Sequence, residues 1–202
     1  MKRVNLFLLM ATVIFLFATC QKSSDEVYSD EEAALKSALG ERMVPFRAVF
    51  ESHGADDQFA TQCSDPESAS SLWLLDHQIG EGTGLHLGNF TFDMHFCFHL
   101  VLDSNGGFDF ENGFGEVKDG YGYFEAANGD TLFIIAPVAS VLPVENQDLF
   151  YFDDIFYFDG GTGRFEGAHG EFQAKGTLPP GGPTEHVWEG TLILPNAVKL
   201  LD

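Results

Sequence analysis

Basic residues are scarce in this chain: ten Lys and Arg stand against 31 Asp and Glu, a formal charge of −21. A polypeptide so acidic is repelled by polyanions, which excludes nucleic acid and anionic lipid headgroups as partners. Its acidic surface serves solubility in the preferred reading, with a cation requirement as the alternative. Cysteine is rarer still, at positions 20, 63 and 97 alone. No Ser-His-Asp or Cys-His arrangement can be read, and no Gly-Lys-Ser/Thr phosphate loop is present. No helical period follows Gly40. The longest apolar run, Leu6 to Phe17, falls short of the roughly 20 residues that span a bilayer. What remains is a glycine- and phenylalanine-rich polypeptide of 202 residues, enough for one domain of about 150 residues and extras.

The extras are at the start. Lys2 and Arg3, the run Leu6 to Phe17 and the small pair Ala18-Thr19 form a secretory leader. The cysteine directly after them makes the segment resemble a bacterial lipoprotein signal. That resemblance implies cleavage after residue 19 and diacylation of Cys20, a membrane anchor worth about 0.8 kcal/mol per buried CH₂. Removing Lys2 and Arg3 leaves eight basic residues against 31 acidic ones, a mature charge near −23. Gln21 to Glu26 is a polar tether. Its acidic residues resemble the surface-export tag of some Gram-negative lipoproteins, so the expected address is the outer membrane, facing outward. Ser29-Asp30-Glu31-Glu32 is a capping box with Leu35 and Leu39 at helical spacing, and Gly40 stops the short helix. The expected division is a signal over 1–19, a lipidated tether and helix over 20–44, and a β domain over 45–202.

Past Gly40 the period falls to two. Phe46 to Glu51 alternates, His53 to Ser71 is a polar loop, and Leu72 to Ile79 is a strand. In Asn89 to Leu102, Phe90, Phe92, Met94, Phe96, Phe98 and Leu100 share one face, with Thr91, Asp93, His95, Cys97, His99 and Val101 on the other. Asp103-Ser104-Asn105-Gly106-Gly107 predicts a hairpin returning through Phe108 to Val117. Tyr121 to Ala126 and Thr131 to Ala136 pair around Asn128-Gly129, Asp148 to Phe158 pairs with Phe172 to Thr177, and His186 to Leu194 closes the chain. Roughly eight strands joined by tight turns predict an all-β fold, a single antiparallel up-and-down β-barrel, which leaves no exposed edge. Eight strands enclose side chains or one small ligand.

The segment Gly160 to Gly170 (GGTGRFEGAHG), the hairpin Ala127 to Leu132 and His86 to Thr91 together resemble the barrel superfamily of allene oxide cyclase and the dirigent proteins, over about Pro45 to Leu194. The resemblance implies an eight-stranded barrel with an apolar lumen. The cyclase folds an unstable fatty-acid epoxide into a ring, and dirigent proteins steer radical coupling. Both assemble through their outer faces, which makes a homo-oligomer the expectation here. No catalytic residue of either family matches a position in this chain.

Candidate chemistry is sparse. Gly161, Gly163, Gly167 and Gly170 form a structural turn, as do Asn128 and Gly129. The third glycine of Gly161 to Gly167 falls one place late for a dinucleotide loop. Asp93, His95, Cys97 and His99 share a strand face, but a rise of about 3.3 Å per residue puts alternate residues near 6.6 Å apart. One ion reaches two of them, so the preferred reading is a polar face, with no metal and no cofactor. Asp103, Asn105, Asp109 and Glu111 suit a hairpin better than a calcium loop. Asp154 alternates with Phe150, Phe152, Phe156 and Phe158; inside an apolar lumen its pKa would rise, making it a ligand anchor or proton donor beside Phe152, Phe156, Phe96 and Trp188. An oxidising envelope permits a Cys63–Cys97 disulfide. Three functions stay open: binding of a small apolar ligand, an envelope scaffold working through its outer surface, and a cyclase-like isomerase.

Overall fold

The computed structural model describes residues 40–64 and 68–195. The leader, Cys20, the tether and the helix predicted after Ser29 lie outside the described residues. From Glu41 the strict alternation of apolar and polar side chains makes β1 (Glu41–Gly54), whose even-numbered residues Val44, Phe46, Ala48, Phe50 and Ser52 are all buried. The strands β2 (Ser71–Gly84), β3 (Gly88–Val101), β4 (Glu116–Ala126), β5 (Thr131–Ser140), β6 (Leu142–Pro143), β7 (Phe150–Gly161), β8 (His169–Leu178) and β9 (Thr184–Pro195) follow. The one helical piece among the described residues is a 3-10 turn, Gly163–Phe165.

Every neighbouring pair is antiparallel, and the order runs β5-β4-β3-β2-β1-β9-β8-β7-β6. A further pairing of β5 with β7, Leu132 opposite Gly161 and Ile135 opposite Tyr157, shuts the sheet. The two-residue β6 only lengthens the edge of β7. The result is the closed eight-stranded up-and-down barrel that hairpin succession implies.

Two segments depart from the sequence reading. Phe108 to Val117 is not a returning strand: residues 102–115 form a loop in which Asp103 accepts the N–H groups of Asn105 and Gly107. Gly113 and Gly115 take φ of 98° and 85°, which bend the backbone out of an extended path, and Phe108 stacks on Phe114 at 4.1 Å. The strand starts at Glu116 and absorbs Tyr121 to Ala126 after a bulge at Asp119, φ 55°. The polar loop after Gly54 is also more ordered than its composition suggests. Its backbone runs alongside β2 where β1 has ended, Ala55 and Phe59 donating to the carbonyls of His77 and Leu75. A disulfide joins Cys63 to Cys97 of β3.

Lumen packing rests on glycines set between rings. Gly82 pairs with Phe50 on one side and Phe90 on the other, and those two rings meet edge-on at 5.6 Å across it. Gly190 stands the same way between Phe46 and Phe172, whose rings are 5.5 Å apart. A Cβ at either position would collide with backbone or Cβ atoms of Phe50 or Phe172. The wall is thinned so that the contents can be aromatic.

Candidate functional site

The barrel has two unlike ends. Short turns close the end where β1 begins, capped by Phe165 of the 3-10 turn and Leu87 of the β2–β3 turn, both buried. Below them Phe46, Phe90, Phe124, Phe158 and Phe172 fill the lumen solidly. The longer loops, with residues 55–64, 102–115, 141–149 and 179–183, gather at the opposite end. There the lumen holds a cavity of about 80 Å³, lined by Phe92, Met94, Phe96, Phe152, Phe156 and Trp188 among others, with Val117, Ala139 and Leu178 nearer the loops.

One wall of this apolar space is polar. Asp76 and Gln78 of β2, Ser52 of β1 and His186 of β9 line it together. Asp76 Oδ1 accepts hydrogen bonds of 2.8 Å from both Gln58 Nε2 and Gln78 Nε2. Gln78 thereby turns Oε1 toward Ser52, whose hydroxyl donates to it at 3.3 Å. With its one proton spent there, Ser52 Oγ accepts from His186 Nε2 at 2.8 Å. The chain of bonds thus selects the His186 tautomer that carries its proton on Nε2 and leaves Nδ1 a bare acceptor. Nδ1 and the Trp188 indole N–H are both buried with no hydrogen-bond partner among the described residues. Burial holds His186 down to a pKa of about 3, so the ring is neutral. Burial also raises the Asp76 carboxyl above the usual carboxylate range, against the pull of Gln78, Gln58 and His77.

Phe96, Phe152, Phe156 and Trp188 stand on the cavity wall, where the sequence reading puts them. Asp154 does not line it. It shares the inward parity of Phe152 and Phe156, but it sits at the seam where β5 and β7 part after Ile135 and Tyr157. Pro137 has no N–H to offer there, and the carboxylate accepts the Ser140 N–H at 3.2 Å instead, half-buried, its pKa raised by burial. Gly129, Gly163, Gly167 and Gly170 turn at φ of 85°, 56°, 71° and 129°. Gly161 lacks a positive φ and is needed because a Cβ would meet the Thr131 carbonyl. Asn128 braces its turn by donating to Asp130 at 2.7 Å. The quartet Asp93, His95, Cys97 and His99 is not one site: Cys97 is spent in the disulfide, and His99 bonds Ser71 Oγ at 3.0 Å while stacking on Trp73.

No family model and no curated protein sequence matches this chain. Among solved structures it is similar to the pterocarpan synthase dirigent protein GePTS1, at 14% identity and a TM-score of 0.38, over 77% of this chain and 87% of that one. A likeness so distant transfers no chemistry.

The residues that sequence reasoning missed are Ser52, Asp76, Gln78 and His186. A signal for two of them exists. Asp76 and Gln78 share strand parity with Gly80, Gly82 and Gly84, and glycines opposite Phe50, Phe90 and Phe92 mark the inward face.

Proposed function

We propose that this protein is a lipid-anchored envelope barrel that holds one small, mainly apolar molecule with a hydrogen-bonding end group in the open half of its lumen. His186 and Trp188 line the cavity, and the buried His186 Nδ1 and Trp188 Nε1 have no hydrogen-bond partner among the described residues; this carries the reading. Each buried unpaired group costs about 1–3 kcal/mol, and a ligand offering a hydroxyl or carbonyl relieves that cost. The volume suits a guest of a few heavy atoms or the narrow tip of a longer one reaching in between the loops. Anchoring rests on the leader and Cys20.

The test is native mass spectrometry of protein extracted gently from its own envelope. The expected result is one adduct of constant mass, lost in Ala139→Phe, which drives a ring into the cavity. Bare protein in both samples would sink the reading.

A second reading, a scaffold working through its exterior, is favoured by the outer face of β5 and β7, where Phe133, Ile135, Val138, Ile155 and Tyr157 are exposed side by side. The same spectra separate the two, since a scaffold shows an oligomer without adduct. For the isomerase reading, the carboxylate in place to exchange a proton with a bound molecule is Asp76 rather than Asp154.

A further inference from the structure

On the outside of the barrel, away from the lumen and independent of its ligand, β2 and β3 place His77 directly opposite His95. Asp93 lies two residues along on the same face of β3. Strand spacing alone forbids a three-ligand site along one strand, but the cross-strand partner supplies the missing ligand at short range. His77 Nε2 is 3.5 Å and His95 Nδ1 3.4 Å from the same Asp93 oxygen, Oδ1. One ligand atom from each of the three residues lies within 4.8 Å of the other two.

These separations are long for N–H···O hydrogen bonds, which run at about 2.7–3.2 Å. They match something else. Ligand bonds of about 2.0–2.2 Å to a tetrahedral zinc ion put neighbouring donor atoms about 3.3–3.6 Å apart. The tautomer is prepared as well. His77 Nδ1 donates to Asp57 Oδ1 at 2.6 Å, so Nε2 keeps its lone pair, and that atom is buried without a hydrogen-bond partner among the described residues. A carboxylate behind a histidine is the usual outer support of a metal ligand. Here it comes from the 55–64 loop that the disulfide pins against the wall.

We propose that His77 Nε2, His95 Nδ1 and Asp93 Oδ1 form a binding site for a divalent first-row transition ion, zinc foremost, with Asp57 orienting His77 and a water completing the tetrahedron. Two imidazoles disfavour calcium and magnesium, which take oxygen ligands. The two rings are stacked at 3.9 Å with planes 18° apart; closing on an ion fans them open about χ2, a soft torsion. The strongly negative chain concentrates cations at its surface. With three protein ligands and one exchangeable position, the site pins the 55–64 loop and still accepts an external ligand.

Isothermal titration of the full chain with zinc chloride tests this, in a Cys20→Ser background that removes the one thiol outside the disulfide. One ion per chain is expected. Asp57→Asn should weaken binding about 10–100-fold, the range for loss of an outer-sphere partner, and His77→Gln and His95→Gln should weaken it more. His86→Asn, an exposed histidine in the β2–β3 turn at the closed end, should leave it unchanged. Far-UV circular dichroism checks that each variant is folded, and Co²⁺ added to the parent should give the intense visible bands of a tetrahedral site. No zinc uptake by the parent, uptake undiminished by His77→Gln and His95→Gln, or the weak bands of octahedral cobalt would each overturn the assignment.

Discussion

Trp188→Ala should lower the unfolding free energy by about 3–5 kcal/mol, the range for deleting a large aromatic from a packed core. The indole is 1% exposed and stands where the plugged half of the lumen meets the open half. It lies against Phe172 with ring centres 5.2 Å apart, meets Phe50 edge-on at 4.9 Å, and touches Phe92, Phe124 and Phe156. Such pairs each add about 0.5–1.5 kcal/mol beyond the area they bury. The rings around it are themselves fixed by neighbours, so the lumen cannot collapse into the void and the full cavity cost is felt. Urea unfolding followed by circular dichroism measures the loss. Trp188→Phe is the companion: it keeps most of the contacts, removes an indole N–H that has no partner among the described residues, and should cost much less. A drop below about 1 kcal/mol for the alanine variant would mean a loosely packed or hydrated lumen.

Acid should destabilise the barrel through His186. Its folded pKa of about 3 lies below the ordinary value near 6.5. The unfolded chain therefore takes up a proton that the folded barrel refuses. Stability from this group is complete above about pH 6.5 and drains away as the pH falls toward 3; a gap of about 3.5 units at 1.36 kcal/mol each comes to roughly 4–5 kcal/mol. Other groups act oppositely. The raised carboxyls of Asp76 and Asp154 contribute most in acid, below the ordinary carboxylate value, and lose that contribution as the pH rises through their folded values. His77, where burial is outweighed by Asp57 and Asp93, likewise contributes below about 6.5 and loses its share above. The clean comparison is His186→Phe, whose ring can keep the stack on Phe50, 4.2 Å between centres in the parent. Between pH 7 and pH 4 the parent should lose about 3 kcal/mol more than the variant. Parallel curves would show that His186 is solvated rather than sealed in.

The barrel itself was legible because its cause is local. Alternation in Asn89 to Leu102 and the Asn128-Gly129 turn each point to antiparallel hairpins without help from the rest of the chain, and hairpins in succession close on themselves. What failed was non-local. Phe108 to Val117 has strand-like side chains, yet the left-handed glycines at 113 and 115 and the Phe108–Phe114 stack decide its shape. Asp154 has the inward parity of a lumen residue and misses the cavity because β5 and β7 separate beside Pro137. Register hid the rest: nothing in the sequence states that His77 falls opposite His95, or that Asp76, Ser52 and His186 converge from three strands. Parity says which way a side chain points; only register says what it meets.

The account turns on a lumen that is solid at one end and hollow and mainly apolar at the other. Diffraction from crystals held under xenon tests this most directly, because the gas enters dry apolar cavities and avoids wet polar ones. The expected result is a xenon peak inside the barrel among Met94, Phe156 and Trp188, absent in Ala139→Phe, with no peak near Phe124 and Phe172. Ordered water in that space, or side chains of the open half closed together with no room for xenon, would contradict it.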